Sequence, residues 1–129
     1  MSQTCVAETF QNLCMVDGHA GEPRLVHFSL SRQVPVLDLS QLWPTRAGAS
    51  QLLSCGSKEI CRAWAREIYS IYGKYQSHGV PIEPVEGILY RSSMHGGDET
   101  LVLFERAKDS IVRKLSDFSL RDPMVFDRL

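Results

Sequence analysis

Tyr90, Ser92, Ser93 and His95 fall within six residues, Gly96 and Gly97 follow, then Asp98 and Glu99, and the chain turns apolar as "TLVLF" over 100–104. Hydroxyls and an imidazole donate and accept hydrogen bonds, and paired glycines let a backbone approach a ligand closely or take positive φ. A loop with this content between two strands suits ligand binding, because the strands fix its position while its tip stays accessible. The same residues also suit a plain turn in which the serines satisfy neighbouring backbone groups. A loop histidine is as often solvated or structural as catalytic, so His95 is given no proton transfer. Cys5, Cys14, Cys55 and Cys61 match no C-x-x-C pair or zinc ribbon. No metal site is expected, and the plainer reading makes them small buried hydrophobes with reduced thiols.

The pattern around the loop predicts the elements that hold it. "GILYRS" over 87–92 reads as a strand, and "TLVLFER" over 100–106 as a short apolar run, a strand buried on both faces. Upstream, Thr4 is placed to cap a helix carrying Ala7, Phe10 and Cys14, with Val6 and Leu13 beside them, and Gly18, Gly21 and Pro23 end it. "RLVHFSLS" over 24–31 alternates as a strand does, and "VPVLDLS" over 34–40 follows with Pro35 arguing for an edge. Residues 41–56 read as loop with one short helix. Ser57 then caps the clearest helix, in which Ile60, Cys61, Trp64, Ile68 and Ile71 or Tyr72 recur at helical spacing until Gly73, with Trp64 as core. "HGVPIEPVE" over 78–86 is a connector, "SIVRKLSDFSL" over 110–120 a strand or hairpin, and Asp122 with Pro123 opens a last helix.

At 129 residues, with 43% hydrophobic and 22% charged residues, the chain fits a single α+β domain over 1–129 with a central mixed or antiparallel sheet and flanking helices. Fourteen basic against fifteen acidic residues give a net charge of -1, so no global field draws it to nucleic acid or anionic membrane. Its apolar runs fall far short of the roughly 20 residues that span a bilayer, and no signal pattern opens the chain. A cytoplasmic location is the expectation.

The stretch Tyr90, Ser92, His95, Gly97, Leu101, Leu103 and Phe104 resembles, without a gap, the hallmark segment of the RES domain family. "CVAETF" over 5–10 resembles that family's glutamate helix, with Glu8 at the glutamate. "VLDLS" over 36–40, "CRAWAREIY" over 61–69 and "FSLRDP" over 118–123 resemble its following strand, central helix and final segment, so the resemblance covers nearly the whole chain.

The resemblance implies an ADP-ribosyltransferase-like fold and a toxin that consumes NAD as substrate, by hydrolysis or phosphorolysis, checked by an Xre-like antitoxin. Glu8 would stabilise positive charge at the ribose, and Ser92 would bond that ribose or position the glutamate. Gly96 and Gly97 would bring backbone amides to the substrate, with Tyr90 and His95 beside them in the binding loop. The family's arginine precedes the glutamate and has no counterpart in the seven residues before Glu8. A guanidinium is the natural clamp for a pyrophosphate, and Arg24, Arg32 and Arg91 are the candidate substitutes, each also readable as a surface charge. Loss of first strands would leave a sheet edge that favours a second copy or another partner. The alternative is a catalytically inactive RES-like remnant acting as an interaction module. If the matches were coincidental, nothing would bring Glu8 and Ser92 together.

Overall fold

The computed structural model describes residues 2–10, 17–19, 21–50, 53, 56–74, 76–77, 79–94 and 96–126. Its elements run α1 (Ser2–Phe10), β1 (Arg24–Leu30), β2 (Val36–Asp38), α2 (Trp43–Arg46), α3 (Lys58–Ile71), β3 (Gln76–Ser77) and β4 (Val80–Pro81). Then come β5 (Gly87–Arg91), β6 (Glu99–Leu103), a 3-10 helix (Glu105–Ser110), β7 (Ile111–Ser119) and α4 (Pro123–Phe126). The fold is α+β, with the strands divided among three sheets rather than gathered in one. β1 pairs antiparallel with β7, β3 with β4 in a small hairpin, and β2, β5 and β6 form a mixed sheet in that order.

The mixed sheet carries the loop of interest. β5 and β6 are antiparallel from Gly87 opposite Leu103 to Arg91 opposite Glu99, so residues 92–98 are the hairpin connection. β2 runs parallel to β5, with Val36 opposite Gly87 and Asp38 opposite Leu89. A parallel pair needs a long crossover, and the segment holding α2, α3 and the β3–β4 hairpin supplies it. Gly87 lies where strands crowd: a Cβ there would stand 2.7 Å from the Val102 carbonyl oxygen and 3.2 Å from Val36 Cγ1.

α3 begins as its sequence requires. The Ser57 hydroxyl accepts from the Ile60 amide at 3.4 Å, satisfying one of the first-turn N–H groups that have no partner within the helix. Ile68, 2% exposed, is the most deeply buried side chain of the helix. At its C-terminal end the Arg106 guanidinium lies 3.8 Å from the Tyr69 ring centre and donates to the Tyr69 carbonyl at 2.7 Å. Tyr69 meets Phe104 edge to face at 5.2 Å, so α3 is pinned to the segment that follows β6. Trp43 Nε1 donates to the Tyr72 hydroxyl at 3.0 Å and ties α2 to the same end.

Several expectations change. Thr4 lies inside α1 and is 2% exposed, so it is not a cap. β6 is not buried on both faces: Leu101 and Val102 are exposed, and β6 is the edge strand of its sheet among the described residues. Trp64 is half-buried. Cys5 is exposed and Cys61 intermediate in burial, while Leu13, Cys14, Cys55, His78 and His95 lie outside the described residues. The connector after α3 contains the β3–β4 hairpin. Arg24–Leu30, α3 from its Ser57 cap and the Asp122-led α4 stand as read, Asp122 Oδ1 accepting from the Met124 amide at 2.9 Å. Among the described residues no helix is long and apolar enough to cross a membrane.

Because Gly87 admits no Cβ without moving a strand carbonyl, Gly87→Ala should lower stability by about 1–3 kcal/mol. Urea denaturation checks this. The midpoint should fall with an unchanged slope, and an unshifted midpoint would contradict the crowding.

Candidate functional site

α1 brings two polar side chains to the β5–β6 loop. Thr4 and Glu8 are one helical turn apart and so share a face. The Thr4 hydroxyl donates to Asp98 Oδ2 at 3.1 Å, and Glu8 Oε1 accepts from the Ser92 hydroxyl at 2.6 Å across 84 positions of sequence. The loop is closed from within, since the Ser92 amide donates to the Asp98 carbonyl at 2.8 Å. Gly96 and Gly97 turn it at φ 58° and 76°. These are left-handed conformations that side chains resist.

The direction of the Ser92 bond follows from its other partner. Ser92 Oγ accepts from the Met94 amide at 3.1 Å, leaving the single hydroxyl proton for Glu8. Ser92 is 3% exposed, which strengthens this bond and makes its loss expensive. Tyr90 is the second donor to the same carboxylate. Its phenol is pushed up to about 12, first by burial, then by the negative charge of Glu8 and by the hydrogen bond to it. Tyr90 therefore stays protonated at any physiological pH, and the Ser92 and Tyr90 hydroxyls are both neutral groups beside Glu8.

Glu8 and Tyr90 look into a cavity of about 290 Å³ between α3 and the mixed sheet, at the small end of the roughly 300–1,000 Å³ typical of ligand sites. Ile88 and Tyr90 alternate on one face of β5, and Val102, opposite Ile88, completes the sheet wall. Cys61, Trp64, Ala65 and Ile68 form the facing helix wall. Both the exposed Val102 and the half-buried Trp64 line this space. Lys58 and Arg62, one turn apart at the start of α3, add two positive charges, and Ser93 rather than Ser92 reaches the wall from the loop.

The structure thus brings Glu8, Ser92 and Tyr90 into one cluster. Gly96 and Gly97 shape the loop outside the residues that line the cavity, and a Cβ at either would meet nothing within 4 Å. His95 falls outside the described residues. The three arginines considered as clamps are engaged elsewhere: Arg24 with Asp117, Arg32 with Glu86 and Asp109, and Arg91 with the Gly97 carbonyl. Lys58 and Arg62 escaped the sequence reading, although two cations at i and i+4 behind a Ser cap were the available signal. Among the described residues no group of three His, Cys, Asp or Glu side chains is placed to hold a metal ion.

A family model described as "RES domain" matches residues 2–122. No curated protein and no solved structure matches the chain.

Tyr90 supplies a direct test of the cluster. Its raised pKa means that stability tied to the protonated phenol is fully present below about pH 10 and is lost as pH rises through about 12. Alkaline ultraviolet titration should contain a phenolate step near pH 12 that Tyr90→Phe removes. The substitution should also cost about 1.5–3 kcal/mol near neutral pH, the range for a hydrogen bond to a charged group. A titration unchanged by the substitution would place Tyr90 away from Glu8.

Proposed function

The chain belongs to the RES domain family, a family of toxin-type domains associated with NAD, and on that footing we propose that the cavity binds NAD and breaks its nicotinamide–ribose bond. The observation that carries the reading is the 2.6 Å bond from Ser92 to Glu8. It supports a carboxylate fixed in direction at the wall of a cavity with an otherwise largely apolar lining.

The reaction suits such a carboxylate. Departure of nicotinamide takes the bonding electron pair to the pyridine nitrogen, which becomes neutral, and leaves an oxocarbenium-like ribose. A negative charge already in place beside that centre stabilises the transition state without reorganising, as carboxylates do in glycoside cleavage. Glu8 fills this role and also accepts a hydrogen bond from a ribose hydroxyl. Ser92 acts through Glu8, holding its orientation, and Tyr90 does the same from the sheet. The apolar faces of Trp64, Ile68 and Ile88 surround the nicotinamide end and exclude water from the ion pair.

Two acceptors complete the balance. Water gives ADP-ribose, nicotinamide and a proton. Phosphate gives nicotinamide and a ribose 1-phosphate ester of the remaining nucleotide. An antitoxin protein of the Xre-like type is the proposed partner, and an ADP-ribosyltransferase-like arrangement the proposed wider fold relationship.

Purified chain should release nicotinamide from NAD. Glu8→Gln should lower kcat by about 10²–10³, the loss seen when one transition-state electrostatic contact is removed. Ser92→Ala should lower it by roughly tenfold, about 1.4 kcal/mol of positioning, with KM little changed. Chromatography of NAD and nicotinamide, with and without phosphate, checks both. Folded protein that leaves NAD intact in either condition would contradict the proposal.

A further inference from the structure

Half of the basic side chains described in this chain are already occupied. Arg24 and Lys114 hold Asp117, Arg32 holds Glu86 and Asp109, and Arg121 holds Glu22. Arg106 lies on Tyr69, and Arg91 donates to the Gly97 carbonyl. Lys58 and Arg62 differ in two respects. Both line the cavity that Glu8 enters, and neither makes an ion pair or hydrogen bond among the described residues.

Their spacing is the one that puts two side chains on the same helix face about 6 Å apart. Their nearest acidic neighbour in sequence, Glu59, has its carboxyl held below the usual carboxylate range, first by its own backbone amide, then by Ser57, with Arg62 and Lys58 contributing by charge. Glu59 is thus turned to the start of the helix and is not part of the cavity wall. Glu8 is the carboxylate in that wall. The cavity therefore carries two cations on α3 and a negative group on α1, joined by an apolar surface.

We propose that Lys58 and Arg62 form a phosphate-binding subsite of this cavity. The inference rests on the reading of the cavity as an NAD site. It adds to that reading the residues that take the anionic part of the substrate, a role for which the candidate arginines of the sequence are already spent. Arg62 offers a planar fork that fits two phosphate oxygens, and Lys58 a mobile point charge. The phosphate bound is either the pyrophosphate linkage of the dinucleotide or free phosphate acting as acceptor.

The test is binding of inorganic pyrophosphate by calorimetry to the wild-type chain and to Lys58→Gln, Arg62→Gln and the double variant, with Lys108→Gln as an exposed-charge control. Glutamine is a good helix former at these positions, and circular dichroism verifies that α3 is retained. Each single substitution should weaken pyrophosphate binding by about tenfold or more, the loss of one charge-assisted contact. The double variant should abolish it, and the control should leave it unchanged. In the Glu8→Gln background NAD affinity should fall in parallel while that for nicotinamide riboside, which has no phosphate, stays constant. Orthophosphate that competes with NAD identifies the pyrophosphate linkage as the occupant. Orthophosphate that accelerates NAD loss, with that dependence removed by the same substitutions, identifies the acceptor. Variants that bind pyrophosphate like wild type overturn the subsite, and so does a wild-type chain that consumes NAD without binding pyrophosphate. Pyrophosphate binding lost in the variants, without nicotinamide release by wild type, keeps the subsite and removes the NAD reading.

Discussion

A hydrogen bond between a helix side chain and a loop hydroxyl 84 residues away sets the geometry on which the candidate site depends. The Ser92 proton has one destination, because the oxygen that bears it already accepts from Met94. Glu8 is therefore oriented by a buried donor whose removal would take one hydrogen bond from the carboxylate and one acceptor from the Met94 amide. Thr4 makes the parallel contact with Asp98 one turn earlier on the same helix. Together they dock α1 on the loop along one edge, and the loop in turn is held between β5 and β6.

The cavity follows from how the chain crosses over. β2 and β5 run parallel, which obliges the intervening chain to pass over the sheet, and α3 lies on that path. Its apolar face and the Ile88–Tyr90 face of β5 leave a gap between them rather than interdigitating. Charge is distributed unevenly around that gap, with Glu8 entering from α1 and Lys58 and Arg62 from the first turns of α3. Gly87 permits the close strand packing beneath, and the Arg106 stack on Tyr69 fixes the far end of the helix. Binding surface and rigidity are thus supplied by different residues.

Local features were legible in the sequence, and contacts between distant segments were less so. Alternation identified β1, and the Ser57 cap with its helical apolar spacing identified α3, since both signals reside within a few residues. The resemblance selected Glu8 and Ser92 but carried no geometry. Thr4 was misread because a threonine near a helix start looks the same whether it caps its own helix or reaches another segment. β6 was read as doubly buried because an apolar run does not say whether one face looks into a cavity and the other lies uncovered, as Val102 and Leu101 do. Lys58 and Arg62 resembled any solvated pair of helix charges until the sheet opposite them was known.

The central claim is that Glu8 serves cleavage at the ribose carbon bonded to nicotinamide. Its most direct test is to follow NAD with the purified chain by proton and phosphorus NMR, which shows which bond breaks. The account predicts free nicotinamide accumulating while the pyrophosphate phosphorus signals persist, and no such change with Glu8→Gln. Appearance of AMP with nicotinamide mononucleotide, or nicotinamide release that continues unaltered without the Glu8 carboxylate, would contradict it.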